Sequence, residues 1–84
     1  MPNNTCWYVY ILKCADNTLY TGITVDVARR VDEHNHDDKL AAKYTRVRRP
    51  VKLVYKEMLT SRAMAAKREA AIKKLKREEK EALL

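Results

Sequence analysis

Cysteine, glycine and long apolar runs are all scarce in this sequence, and each scarcity closes off a class of protein. Two thiols, Cys6 and Cys14, occur without CxxC spacing and without clustered histidines, which argues against a disulfide framework and against a structural zinc site. Both are expected to be reduced core residues. No run of about 18 apolar residues and no charged start followed by an apolar stretch is present, so neither a transmembrane span nor a secretory signal is expected. The protein therefore reads as soluble, cytoplasmic and without a membrane partner. No internal repeat, low-complexity tract or flexible linker divides the 84 residues, so residues 1–84 are expected to form one domain with a single modest core. A monomer is expected.

What is abundant is positive charge. The net charge is +7, and it is distributed unevenly: residues 1–38 carry three basic and six acidic side chains, whereas residues 39–84 carry fifteen and five. From Lys39 to Lys56 there are seven basic residues, no acidic one, and two interleaved tyrosines, Tyr44 and Tyr55. A polyanion is the natural partner of such a stretch. Charge runs also serve as plain solvated faces; nucleic acid is the favoured reading because a salt-bridged surface would mix the signs. Lys39, Lys43, Arg46, Arg48, Arg49 and Lys52 are the candidate nucleic-acid contacts.

Periodicity gives the elements. Trp7 to Lys13 sets Trp7, Val9 and Ile11 against Tyr8, Tyr10 and Leu12, a strand apolar on both faces and hence central or covered. Asp16 and Asn17 supply a turn, and Thr18 to Ile23 returns as an antiparallel partner. Gly22 ends that strand, where a missing side chain permits close approach or an unusual dihedral. Thr24 or Asp26 caps a helix running to about His36. Leu40 to Tyr44 reads as a short helical turn, Pro50 as the marker of a strand start, and Val51 to Glu57 as a third strand, half buried and half facing the basic surface. Thr60 or Ser61 caps a second long helix through Lys74, and Lys76 to Leu84 adds an amphipathic turn or two. The order ββαβαα predicts an α/β (α+β) fold, a small three-stranded antiparallel sheet covered by helices.

Helix phase separates two adjacent arginines. At about 100° per residue, Val27 and Val31 define the buried stripe, Arg30 and His34 fall on its edge, and Arg29 lies on the opposite side. A guanidinium fork suits phosphate oxygens, so Arg30 can be a phosphate ligand with His34 one turn along. Equally, the two can be boundary residues that hydrogen-bond a loop. Glu69 shares a flank with Ala65 and Ile72. A carboxylate there suits a hard cation, since Mg²⁺ needs few protein carboxylates when water and substrate phosphate complete its shell; it can also be an ion-pair partner for the neighbouring lysines.

The triplets Tyr8-Val9-Tyr10 and Tyr20-Thr21-Gly22, the segment Asp26 to Asn35, and Glu69 placed 39 residues beyond Arg30 occur in an order that resembles the GIY-YIG nuclease superfamily, over about Trp7 to Leu75. Small single-domain members are the most similar; the nuclease domain of structure-specific, junction-cleaving endonucleases is similar too. Tyr8 stands where the first glycine of the pattern would be and Thr21 where the isoleucine would be, and the asparagine that some members place after the glutamate has no match. The resemblance implies that Tyr10 and Tyr20 line an active site, that Arg30 and His34 are its helix residues, and that Glu69 binds Mg²⁺ or Mn²⁺. It implies metal-dependent hydrolysis of nucleic-acid phosphodiester bonds, with DNA as the expected substrate: Tyr10 helps to activate water, Arg30 and the metal balance phosphate charge, and Tyr20 positions or assists. An unperturbed phenol, with a pKa of about 10, is a poor base unless a cation favours its phenolate. Two further readings remain at this point, a nucleic-acid-binding module of the same fold without useful turnover, and a protein-interaction module. Larger relatives carry a second domain that grips substrate, so a protein partner supplying targeting is also expected.

Overall fold

A computed structural model describes residues 6–84. Strand β1 (Trp7–Lys13) and strand β2 (Leu19–Thr24) form an antiparallel hairpin, followed by helix α1 (Val27–His36), helix α2 (Lys43–Arg46), strand β3 (Lys52–Leu59), helix α3 (Arg62–Lys73) and helix α4 (Arg77–Glu81). The sheet order is β2-β1-β3, all antiparallel, so the strand that is apolar on both faces is the central one, as its pattern requires. The turn between β1 and β2 is closed by Asn17 in the left-handed region, at φ 71°, which asparagine tolerates better than most residues.

Each face of β1 nucleates its own core. Val9 and Ile11 pack with Ile72 of α3, joined by Leu19, Ile23, Val54, Tyr55, Leu59 and Leu83. Tyr10, Leu12, Cys14 and Val51 pack on the other side with Tyr20, Val31 and Leu53. Asp26 caps α1 by accepting from the Arg29 N–H, and Ser61 caps α3 by accepting from the Met64 N–H; each satisfies a donor that the first turn would leave unpaired.

Three sequence expectations shift. The third strand runs Lys52–Leu59, beginning after buried Val51 and extending beyond Glu57. Its pairing with β1 slips by one residue opposite the Ile11–Leu12 step. This bulge breaks strict alternation, so Val54 and Tyr55 both join the α3-side core. The expected helical turn at Leu40 to Tyr44 is instead α2 at Lys43–Arg46. Asp37 Oδ1 accepts from the N–H groups of both Lys39 and Leu40, at 2.9 Å each, which forms an aspartate-capped turn first and delays the helix. Gly22 lies inside its strand with no positive φ, so close approach, not dihedral freedom, is what it provides.

Candidate active site

The site is built where the β1–β2 hairpin meets α1. Tyr10 and Gly22 are cross-strand partners, and the Tyr10 ring crosses directly over the glycine. A Cβ at Gly22 would stand 2.6 Å from Tyr10 Oη and 2.8 Å from its Cζ. Only glycine allows the phenol to occupy that position without displacement. From there Tyr10 Oη lies 2.8 Å from His34 Nε2.

His34 is fully buried, at 0% exposure, although helix phase put it at the edge of the stripe. Both ring nitrogens are satisfied, which makes the burial tolerable: Nδ1 lies 2.7 Å from Thr45 Oγ1, and Thr45 Oγ1 in turn donates to the Ala42 carbonyl at 3.1 Å. A hydroxyl has one proton. With that proton on Ala42, Thr45 accepts from Nδ1–H, and Nε2 is left as the acceptor for the Tyr10 hydroxyl. The polarity, assigned from the network, therefore runs Tyr10 to His34 to Thr45 to Ala42. Burial, reinforced by Arg30 and Arg49, lowers the imidazole to about 4, so it is neutral at physiological pH. Burial also pushes the Tyr10 phenol up to about 12, with Tyr20 and Glu69 adding in the same direction and Arg30 opposing.

Arg30 and Arg29 separate as helix phase requires, with side chains 24% and 61% exposed. Arg30 Nη1 donates to Glu33 Oε1 at 3.0 Å and to the Leu40 carbonyl at 2.7 Å. Burial alone would lower its pKa, but Glu33 and Tyr10 outweigh that and raise it. Glu69 emerges from α3 between buried Ala65 and Ile72, 22% exposed, with Oε2 3.2 Å from Lys73 Nζ. Among the described residues no three or more His, Cys, Asp or Glu side chains gather into a metal cage. That composition does not suit an ion wanting a closed set of protein ligands. A lone carboxylate such as Glu69, paired here with Lys73, would suit a hard cation that completes its shell with water and substrate.

Tyr20 packs edge-on against His34, with centroids 5.3 Å apart, and stacks on Tyr44 at 5.9 Å. The basic stretch is less uniform than its sequence. Acids reach it from outside: Arg48 Nε pairs with Asp16 at 3.0 Å, and Arg49 Nη1 with Asp38 at 2.8 Å. Arg49 also donates to the carbonyls of His34, at 2.7 Å, and Asp37, at 3.1 Å, so it latches the end of α1 more than it faces outward. Lys39, Lys43, Arg46 and Lys52 are exposed and form no ion pair among the described residues. Nothing in the spacing of Thr45 from His34 marks it in the sequence. The role of Gly22 was legible only as close approach in general; the Tyr10–Gly22 register supplies the partner.

The three-stranded antiparallel sheet with its β1–β2 hairpin and covering helices is the fold of a GIY-YIG type of catalytic domain. The chain belongs to that family: the GIY-YIG catalytic domain model matches residues 6–82. Members are typically nucleases. The chain is 61% identical over 69 residues to a UPF0213 protein of Desulfotalea psychrophila, covering 82% of this chain and 62%, under two thirds, of that protein. It is 59% identical to a UPF0213 protein of Syntrophus aciditrophicus, covering 87% and 83%. The solution NMR structure of the UPF0213 protein of Bacillus halodurans is similar, with 44% identity, a TM-score of 0.58, and 93% and 81% of the two chains covered. No helix of the described residues is long and apolar enough to cross a membrane.

Proposed function

We propose that this domain is a metal-dependent endonuclease that hydrolyses phosphodiester bonds in DNA. The observation that carries the reading is the Tyr10 phenol held 2.8 Å from the acceptor nitrogen of a buried, neutral His34. With the phenol at about 12 and the imidazole at about 4, the shared proton rests on Tyr10 by a wide margin, so the pair is idle until charge arrives. Substrate brings that charge. Arg30, anchored by Glu33 and the Leu40 carbonyl, offers its remaining donors to phosphate oxygens.

As the attacking water bonds to phosphorus and the P–O bond to one sugar oxygen breaks, the water's proton passes to the Tyr10 oxygen and the Tyr10 proton to His34 Nε2, while the leaving alkoxide takes a proton from solvent. Thr45 keeps Nδ1–H bonded and the ring in register. The phosphate charge stabilises the imidazolium that results. Glu69 would hold Mg²⁺ or Mn²⁺, which when bound supplies a Lewis acid that favours phenolate and offsets charge on the phosphoryl oxygens. Tyr20, edge-on against the ring of His34, helps to hold that ring in place. Glu69→Ala is expected to abolish Mn²⁺-dependent cleavage of flap and four-way-junction DNA while leaving urea unfolding and DNA affinity nearly unchanged. Cleavage at the wild-type rate would remove Glu69 from the site.

A further inference from the structure

Tyr44 and Arg48, beside Tyr20, have no part in that chemistry. A column of flat groups runs outward from buried His34: Tyr20 meets it edge-on at 5.3 Å, Tyr44 stacks on Tyr20 at 5.9 Å with planes 25° apart, and the Arg48 guanidinium lies 3.9 Å from the Tyr44 centroid. Tyr44 is 36% exposed. Tyr20 also packs against the Tyr10–Leu12 core, whereas Tyr44 and Arg48, beside exposed Lys43 and Arg46, are in neither core cluster.

The donors of Arg48 decide what the column can bind. Its Nε donates to Asp16 Oδ2 at 3.0 Å and its Nη1 to the Tyr44 carbonyl at 2.9 Å. A phosphate is best gripped by a pair of parallel in-plane donors of a guanidinium. Here two of the five donors are engaged, and because Nε is one of them, the side-on Nε–Nη2 pair is not open to a phosphate. One flat face rests on Tyr44 and the side chain is still 31% exposed, which leaves the opposite face as the candidate surface for a flat ligand. A flat cation with an aromatic behind it is a platform for a nucleobase, because every base has a π-face.

We propose that Tyr44 and Arg48 form a stacking subsite for one unpaired nucleobase of the strand whose phosphate lies at Arg30. The proposal rests on the nuclease reading for its substrate and adds to it that the strand presents a base free of its pair. Arg48 is thereby a base contact and not a phosphate contact.

The test is metal-free binding, by fluorescence anisotropy, of an oligothymidylate and of an abasic oligomer of equal length and charge. The wild-type protein is expected to prefer the oligothymidylate by about 5- to 150-fold, the range for stacking of one base. Arg48→Lys keeps the charge but loses the plane; it is expected to bind the abasic oligomer as the wild type does, with the preference reduced toward unity. Tyr44→Phe keeps the ring and is expected to keep the preference. A full preference in Arg48→Lys, or equal weakening toward both oligomers, would overturn the proposal, the latter making Arg48 an ordinary phosphate contact. If Arg48→Lys unfolds, Asp16→Asn releases the guanidinium while retaining it, and an unchanged preference in that variant overturns the proposal as well. Because no turnover is needed, an intact preference without cleavage counts against the nuclease reading alone, and cleavage without a preference counts against the stacking site alone.

Discussion

Gly22 and His34 show how single residues set the chemistry. Any side chain at Gly22 would meet the Tyr10 hydroxyl, and the proton path to His34 would be lost before any catalytic group was changed. His34 carries a testable cost. Its folded pKa is depressed, to about 4 from 6.5, so the fold favours the neutral ring. Stability is at its full value above pH 6.5 and falls as pH drops through 6.5 toward 4, by about 3 kcal/mol at the limit. Urea unfolding of the wild type and His34→Gln across that window measures this share. The wild type is expected to lose more stability than the variant, and parallel curves would contradict the assignment. Part of the placement was legible beforehand: the motif order names Tyr10, Tyr20 and His34, which the fold brings into contact, and helix phase separates Arg30 from Arg29. Thr45 and the depth of His34 were not, because they depend on a contact between α1 and α2, 11 residues apart in sequence and across a non-helical connection, where no period operates.

Among the elements, the connection from α1 to β3 is held by side chains more than by backbone ladders. Arg49 reaches back to the His34 and Asp37 carbonyls and to Asp38, fixing the end of the helix that carries Arg30 and His34. Arg49→Ala is expected to destabilise the domain by about 2–3 kcal/mol, as loss of hydrogen bonds from a charged donor does, whereas Lys43→Ala, on the exposed side, should change stability by less than about 0.5 kcal/mol. Denaturant melts of the two variants check this, and equal melts would place Arg49 among the solvated cations. Strands and long helices were readable from period and caps, because those signals are local. The position of α2 and the bulge in β3 were not, since one follows from an aspartate-capped turn at Asp37 and the other from register against β1.

For the whole molecule, polyanion binding falls to fewer cations than the sequence stretch contains. Arg48 and Arg49 are ion-paired internally, which leaves Lys39, Lys43, Arg46, Lys52 and Lys56 without an ion-pair partner among the described residues. If these neutralise roughly five phosphates, log K should fall with log[salt] at a slope near −4.5, a loss of about 500-fold between 50 and 200 mM salt. Salt titrations of Lys43→Glu and Arg46→Glu are expected to flatten the slope by about one each, and an unchanged slope would move the binding face elsewhere. The proton relay is tested most directly by the rate of Mn²⁺-dependent DNA cleavage in Tyr10→Phe, which keeps the ring over Gly22 and deletes only the hydroxyl. A fall of about 10²- to 10⁴-fold with DNA affinity preserved is predicted, the range for loss of a positioned acid–base group; cleavage at the wild-type rate would contradict the account.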